Sequence, residues 1–140
     1  KMYPEANIPV IQLSLDKSLS PTEHYQIGKE LKSLRDEEVL ILGSGNIVHN
    51  LSYYSPTNNE PMDWAEEFDE KIKQYLLKDD HQGIVNFESL GEIARLSNPT
   101  PEHFLPLIYI VALQEEDERI TFPVEGLVGR SASMRGVMIN

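Results

Sequence analysis

The sequence predicts a layered α/β sandwich, in which helices flank a mixed, partly parallel central sheet. Two apolar runs, residues 8–15 and residues 38–42, are typical of buried strands. Between them, Ser20-Pro21-Thr22-Glu23 is a capping box with proline at the first helical position, which predicts the start of a helix. A strand, a helix and a second strand in quick succession form a βαβ unit, and such units join parallel strands.

The first helix should carry one apolar face, which consists of His24, Ile27, Leu31 and Leu34. After a polar loop at residues 52–61, apolar residues recur every fourth position and predict a helix over residues 62–78. That stripe consists of Trp64, Phe68, Ile72 and Leu76.

Residues 81–96 predict two short helical pieces that separate near Ser89. Thr100 should cap a further helix with Pro101 at its first position, and Pro106 should interrupt that helix early. Residues 104–113 are apolar nearly all round, which predicts burial. Residues 119–124 and 134–139 predict late strands. Residues 1–140 therefore constitute one domain, or a portion of one.

Composition excludes several classes of function. The net charge is −11, which disfavours binding to nucleic acid, and the acidic residues concentrate at residues 60–80 and 114–118, which we expect to be solvated. No apolar run is long enough to span a membrane. The sequence contains no cysteine, so disulfides are excluded, and we expect a cytoplasmic protein.

Two histidines, His49 and His103, lie near the ends of predicted secondary-structure elements, where α/β proteins commonly bind their ligands. Residues 43–50 read Gly-Ser-Gly-Asn-Ile-Val-His-Asn and follow a predicted strand, and His103 lies at a predicted helix start. Two such histidines could share a metal or a proton, although each could also be a packed histidine. A dinucleotide loop would need glycine at position 48, where Val48 stands. Of the other histidines, we expect His24 to be packed and His81 to be exposed.

The two histidine motifs, GSGNIVHN and LSNPTPEHFLPL, resemble those of the 4,5-DOPA extradiol dioxygenase family, as do KMYPEANIPVIQLSLD, ITFPVEGL and SASM. The resemblance implies a catechol-type small molecule and O2 as substrates and a non-haem Fe(II) site, for which Zn(II) is an alternative. It implies that His103 is a metal ligand. His49 would lie beside the metal as the catalytic acid–base, and we count it with His103 among the candidate metal residues.

The resemblance covers only the C-terminal half of that family. The His-Gly and Ser-Ala-His motifs of its N-terminal half do not occur in this sequence. We therefore expect the chain alone to be inactive and to bind its missing N-terminal half or to self-associate. A non-catalytic, Memo-like binding protein of the same fold is the alternative, and a bare oligomerising fragment is a third. We predict that the rings of His49 and His103 lie within roughly 10 Å of each other, since one ion and its substrate can span that distance.

Overall fold

A computed structural model describes residues 4–140, so the first three residues of the opening stretch that resembles the family lie outside it. The helices are α1 (Pro21–Glu30), α2 (Asp63–Leu77), α3 (His81–Val85), α4 (Glu92–Ser97) and α5 (Leu105–Ala112). Short 3-10 helices lie between them, at Lys32–Glu37, Leu51–Tyr53, Phe87–Leu90 and Pro101–His103. The strands are β1 (Ile120–Thr121), β2 (Leu127–Val128), β3 (Ala132–Ser133) and β4 (Met138–Ile139).

Helix α1 begins at the predicted capping box. The hydroxyl of Ser20 accepts a hydrogen bond from the backbone N–H of Glu23, and the Glu23 carboxylate accepts one from the backbone N–H of Ser20. The helix packs closely on α5, and a Cβ at Gly28 would lie 2.7 Å from the Cβ of Ala112. The absence of a side chain at Gly28 thus permits the close approach of the two helices.

Helix α2 carries the predicted apolar stripe, and Phe68, Ile72 and Leu76 are fully buried. Phe68 makes edge-on contacts with Phe87 and Phe104, at centroid distances of 6.5 and 5.8 Å. Such aromatic pairs contribute about 0.5–1.5 kcal/mol beyond the area that they bury. This aromatic cluster joins α2 to the segment that leads into α5.

The predicted central sheet does not form within residues 4–140. Residues 8–15 and 39–42 contain neither helix nor strand, and most of their apolar side chains face solvent. Val10 is 82% exposed and Ile11 is 93% exposed, whereas Leu15 packs against the core. The predictions of strands at 8–15 and 38–42, and of the βαβ unit that joins them, are therefore wrong for the described chain. An apolar run indicates burial, but a strand also requires a neighbouring strand to accept its hydrogen bonds.

The strands that do form are short and antiparallel. β1 pairs with β4, with Ile120 opposite Ile139, and β2 pairs with β3. Two of these strands fall inside the predicted late strands at 119–124 and 134–139, but each covers only two residues. The described chain is thus a mixture of helices and small sheets. No helix within residues 4–140 has the length and apolar character needed to cross a bilayer.

The region before α5 is more broken than predicted. Residues 81–97 form three short pieces, and Gly91, at φ 70°, separates the last two. The predicted helix from Pro101 divides into a 3-10 turn and α5, because Pro106 has no N–H to continue the helical hydrogen bonds. Thr100 does not cap the helix; its hydroxyl bonds to the Glu102 carboxylate at 2.9 Å.

Candidate functional site

His49 lies in a short extended segment held on both sides. On one side, its backbone N–H donates to the carbonyl of Ser97 at 2.9 Å. On the other, His49 forms an antiparallel bridge with Ala132. The flanking residues repeat this pattern, since Asn50 N–H donates to the Ser131 carbonyl at 3.1 Å and Ser133 N–H donates to the Val48 carbonyl at 2.9 Å. The backbone of His49 is therefore fixed by residues distant in the sequence.

Buried amides reinforce this segment. The Asn98 side chain donates to the carbonyl of Ile47 at 2.8 Å, and the Asn50 side chain donates to the carbonyl of Leu96 at 2.7 Å. Both asparagines are nearly inaccessible to solvent. Buried hydrogen bonds of this kind fix geometry, because breaking one leaves an unpaired polar group at a cost of about 1–3 kcal/mol.

His103 is attached directly to the glycine-rich segment. Its carbonyl accepts a hydrogen bond from Asn46 N–H at 2.8 Å. A Cβ on Gly45 would lie only 2.1 Å from the same carbonyl oxygen, and a Cβ on Gly43 would lie 3.0 Å from the carbonyl oxygen of Pro106. Neither glycine has a positive φ. They therefore make room for the backbone around His103.

The structure brings the two candidate histidines together, as predicted. The rings of His49 and His103 stack with their centroids 3.7 Å apart and their planes 24° apart. Both residues are half-buried, so one side of the pair remains accessible to a ligand. The prediction that the two rings lie within roughly 10 Å of each other is confirmed, since the rings are in direct van der Waals contact.

The local electrostatics favour a neutral His49. Burial lowers the pKa of His49 below its ordinary value of 6.5, and the neighbouring His103 lowers it further, while Glu102 opposes both effects. A neutral imidazole can accept a proton through one ring nitrogen, which is the property required of a general base.

The remaining histidines lie elsewhere. His24 is fully buried, as predicted, with its Nδ1 2.8 Å from the Tyr109 hydroxyl. His81 was predicted to be exposed, which is wrong. His81 is half-buried. Its two ring nitrogens lie 2.9 Å from the Tyr25 hydroxyl and 2.8 Å from the Gln114 side-chain oxygen. His81, at the start of α3, therefore connects α1 to the loop after α5.

Sequence reasoning missed the polar residues that support the site. Asp69 lies within a run expected to be solvated, yet it is only 4% exposed. Its position could have been found, because Asp69 is four residues after Ala65 and three before Ile72 and so shares their buried stripe. Ser131 and Ser133 had no such signal, since their partners lie more than 60 positions away.

The imidazole nitrogens of His49 and His103 are suitable ligands for a transition metal, but two histidines do not complete a metal site. Imidazole nitrogen suits both Fe(II) and Zn(II). Within residues 4–140, however, no cluster of three or more histidine, cysteine, aspartate or glutamate side chains could hold a metal ion. The histidine pair can thus contribute to a metal site, whose remaining ligands would have to come from outside the described residues.

Comparison with known proteins identifies the family. Residues 1–133 match the sequence profile described as the catalytic LigB subunit of aromatic ring-opening dioxygenase. The chain belongs to this family. It is 42% identical, over 99% of its length, to a 4,5-DOPA dioxygenase extradiol of Escherichia coli K12, and 38% identical, over 97% of its length, to a protein of that name from Mirabilis jalapa.

A solved structure is similar over nearly the whole chain. The crystal structure of an uncharacterized protein of Escherichia coli K12 matches 97% of this chain with a TM-score of 0.89 at 41% identity. The chain spans about half the length of the curated relatives, covering 52% of the E. coli protein and 49% of the Mirabilis protein, and 57% of the solved structure.

Proposed function

We propose that the protein to which this chain belongs is an extradiol dioxygenase, which opens a catechol ring with O2. The observation that carries this proposal is the stacked pair of His49 and His103, because the two rings lie in the two motifs that resemble the catalytic motifs of the family. Relatives named 4,5-DOPA dioxygenase extradiol favour a DOPA-like catechol as the substrate.

In this proposal His103 holds the metal and His49 moves the proton. A bound Fe(II), or Zn(II) in its place, would act as a Lewis acid and orient the reactants. His49 would remove the proton from a catechol hydroxyl and later return it. The lowered pKa of His49 supports this role, because the ring is ready to accept a proton at neutral pH.

The ring geometry favours this division of roles over a site in which both rings bind one ion. The lone pairs of imidazole nitrogens lie in the ring plane, and these planes are only 24° apart. Near-parallel lone pairs do not converge on one ion at the roughly 2.0–2.1 Å of a metal–nitrogen bond. A ligand and an adjacent acid–base group have no such requirement.

We further propose that the N-terminal half of such an enzyme covers the exposed apolar segments at residues 8–13 and 39–42. Ile11, Leu40 and Leu42 are 93%, 69% and 67% exposed, and monomeric proteins rarely leave contiguous apolar surface of this kind uncovered. Strands from that half would complete the layered, partly parallel sheet that the sequence predicts. In their absence, self-association through the same surface is the expected substitute.

The test uses the protein expressed from its complete gene and loaded with Fe(II) under anaerobic conditions. We expect DOPA or a related catechol to be consumed with one O2 per ring, followed by an oxygen electrode and by the absorbance of the product. His49→Gln should lower kcat by roughly 10²–10⁴-fold and leave bound iron unchanged. His103→Ala should instead lower the iron content itself.

His81→Gln serves as the matched control, since His81 lies away from the stacked pair, and it should retain both activity and metal. A protein that binds metal stoichiometrically but consumes no O2 with any catechol would contradict the proposal. That result would favour the Memo-like binding protein.

A further inference from the structure

We propose that Asp69, Ser133 and Arg135 form a buried positioning network that sets the location of His49. Within residues 4–140, the side chains of these three residues form no hydrogen bond with either histidine ring. They act through the backbone of residues 131–133, which pairs with the segment that carries His49. The inference rests on the proposed function only for its catalytic consequence, because the geometric effect on His49 can be measured separately.

The network joins helix α2 to the C-terminal segment. The Ser133 hydroxyl donates to the Asp69 carboxylate at 2.6 Å. The Arg135 guanidinium also donates to Asp69, with its Nε 3.1 Å from Oδ2 and its Nη2 bonded to the same oxygen. The side chains of Asp69 and Arg135 are 6% and 5% exposed. Both oxygens of the carboxylate are thus engaged, and the ion pair is almost completely removed from water.

A second pair of charges completes the network. Glu125 accepts hydrogen bonds from Arg135 and, at 2.7 Å, from Lys73. Two carboxylates are therefore matched by two cations, and Lys73 is one turn from Asp69 on α2. The guanidinium also lies over the ring of Phe122, with its carbon 5.2 Å from the ring centroid. Arg135 consequently has little freedom to change its position.

Ser133 transmits this constraint to the histidine segment. Its backbone N–H donates to the carbonyl of Val48 at 2.9 Å, and its carbonyl accepts from the side chain of Asn46 at 2.8 Å. Its neighbour Ala132 forms the bridge with His49. The hydroxyl of Ser133 thus bonds to Asp69, while its backbone holds Val48 and Asn46, which both precede His49.

A charged network is a costly way to gain stability, since an apolar cluster of similar volume is often as stable as a buried ion pair. Such a network can, however, fix the register in which residues 131–133 pair with residues 46–50. A slip of one residue between 46–50 and 131–133 would turn His49 to the opposite face, because side chains alternate along extended segments. If residues 131–133 were the segment that moved, the slip would also remove Ser133 from Asp69 and leave a buried carboxylate partly unpaired. The network therefore disfavours a displacement of residues 131–133 that would turn His49 away from His103.

The experiment compares Ser133→Ala, Ser133→Thr and Asp69→Asn with the parent protein, all expressed from the complete gene with uniform ¹³C,¹⁵N labelling. The ring proton signals of His49, assigned with His49→Gln, report its stacking on His103. Amide exchange at Asn50 and residue 133 reports the pairing of the two segments. Glu67→Gln is the matched control, since Glu67 is an exposed carboxylate on the same helix.

We expect Ser133→Ala and Asp69→Asn to shift the His49 ring signals and to speed exchange at both amides roughly tenfold, the effect of losing one ordinary hydrogen bond. Ser133→Thr retains the hydroxyl and should restore the parent signals. In a ring-cleavage assay, Ser133→Ala should lower kcat more than it changes KM.

Unchanged His49 signals and amide exchange in folded Ser133→Ala would overturn the inference, whether or not the thermal midpoint falls. If Asp69→Asn fails to fold, Ser133→Ala and Ser133→Thr decide the question alone. If the protein shows no ring cleavage while the His49 signals respond as expected, the proposed function fails and the positioning network stands.

Discussion

Gly45→Ala should separate the two histidines without altering either of them. The added Cβ would lie 2.1 Å from the carbonyl oxygen of His103, about 0.9 Å closer than the 3.0 Å that real Cβ contacts respect. Because the obstacle is backbone, the turn that carries His103 must move. The hydrogen bond from Asn46 N–H to the same oxygen must then lengthen or break. Overpacking costs about 1–3 kcal/mol and the lost hydrogen bond costs about 1 kcal/mol, so the free energy of unfolding should fall by roughly 2–4 kcal/mol.

The assay is urea unfolding of the protein expressed from its complete gene, together with its bound iron and its kcat. The control is Gly136→Ala, where the nearest atom to the new Cβ is 3.4 Å away and φ is not positive, so the free energy of unfolding should change by less than about 0.5 kcal/mol. We expect Gly45→Ala to lose iron or activity even where it remains folded. If Gly45→Ala matched Gly136→Ala in both stability and activity, the close contact between the glycine motif and His103 would be irrelevant to the site.

Three further predictions concern stability, acid sensitivity and association. Phe68→Ala should lower the free energy of unfolding by about 3–5 kcal/mol in urea titrations, because it empties the centre of the aromatic cluster. The hydrogen bond from Arg35 lowers the pKa of Glu118 below 4.5, so its stabilising contribution is complete well above pH 4.5 and is lost as pH falls through the lower pKa of the folded state. The thermal midpoints of the parent and Glu118→Gln should therefore differ at pH 7 and converge once pH falls below that lower pKa. Replacing Val10 and Ile11 by lysine should reduce self-association of the 140-residue chain in light scattering, and an unchanged particle size would show that this surface does not mediate it.

The helices could be predicted because their signals are local. The capping box before α1 and the four-residue spacing along α2 act within a few turns. Helix α1 begins at the predicted capping box, although it ends at Glu30, before Leu31 and Leu34 of the predicted apolar face, and α2 begins and ends within one residue of the predicted 62–78. The division between the turn at Pro101–His103 and α5 follows from Pro106, which the sequence also indicated. The polar support of His49 could not be predicted in this way, because Ser133 and Asp69 meet across 64 positions of sequence.

The contrast between the two histidines and the two apolar runs shows why the site was more predictable than the sheet. His49 is fixed by residues 96–98 and 131–133 and is stacked on His103, and all of these contacts join described residues of this chain. The runs at 8–15 and 38–42 are equally apolar in sequence, but nothing in residues 4–140 pairs with them as a strand. Hydrophobic pattern indicates which residues require burial and does not reveal where the covering surface comes from. The contacts around His49 thus form among the described residues, whereas residues 8–15 and 39–42 have no strand partner among them.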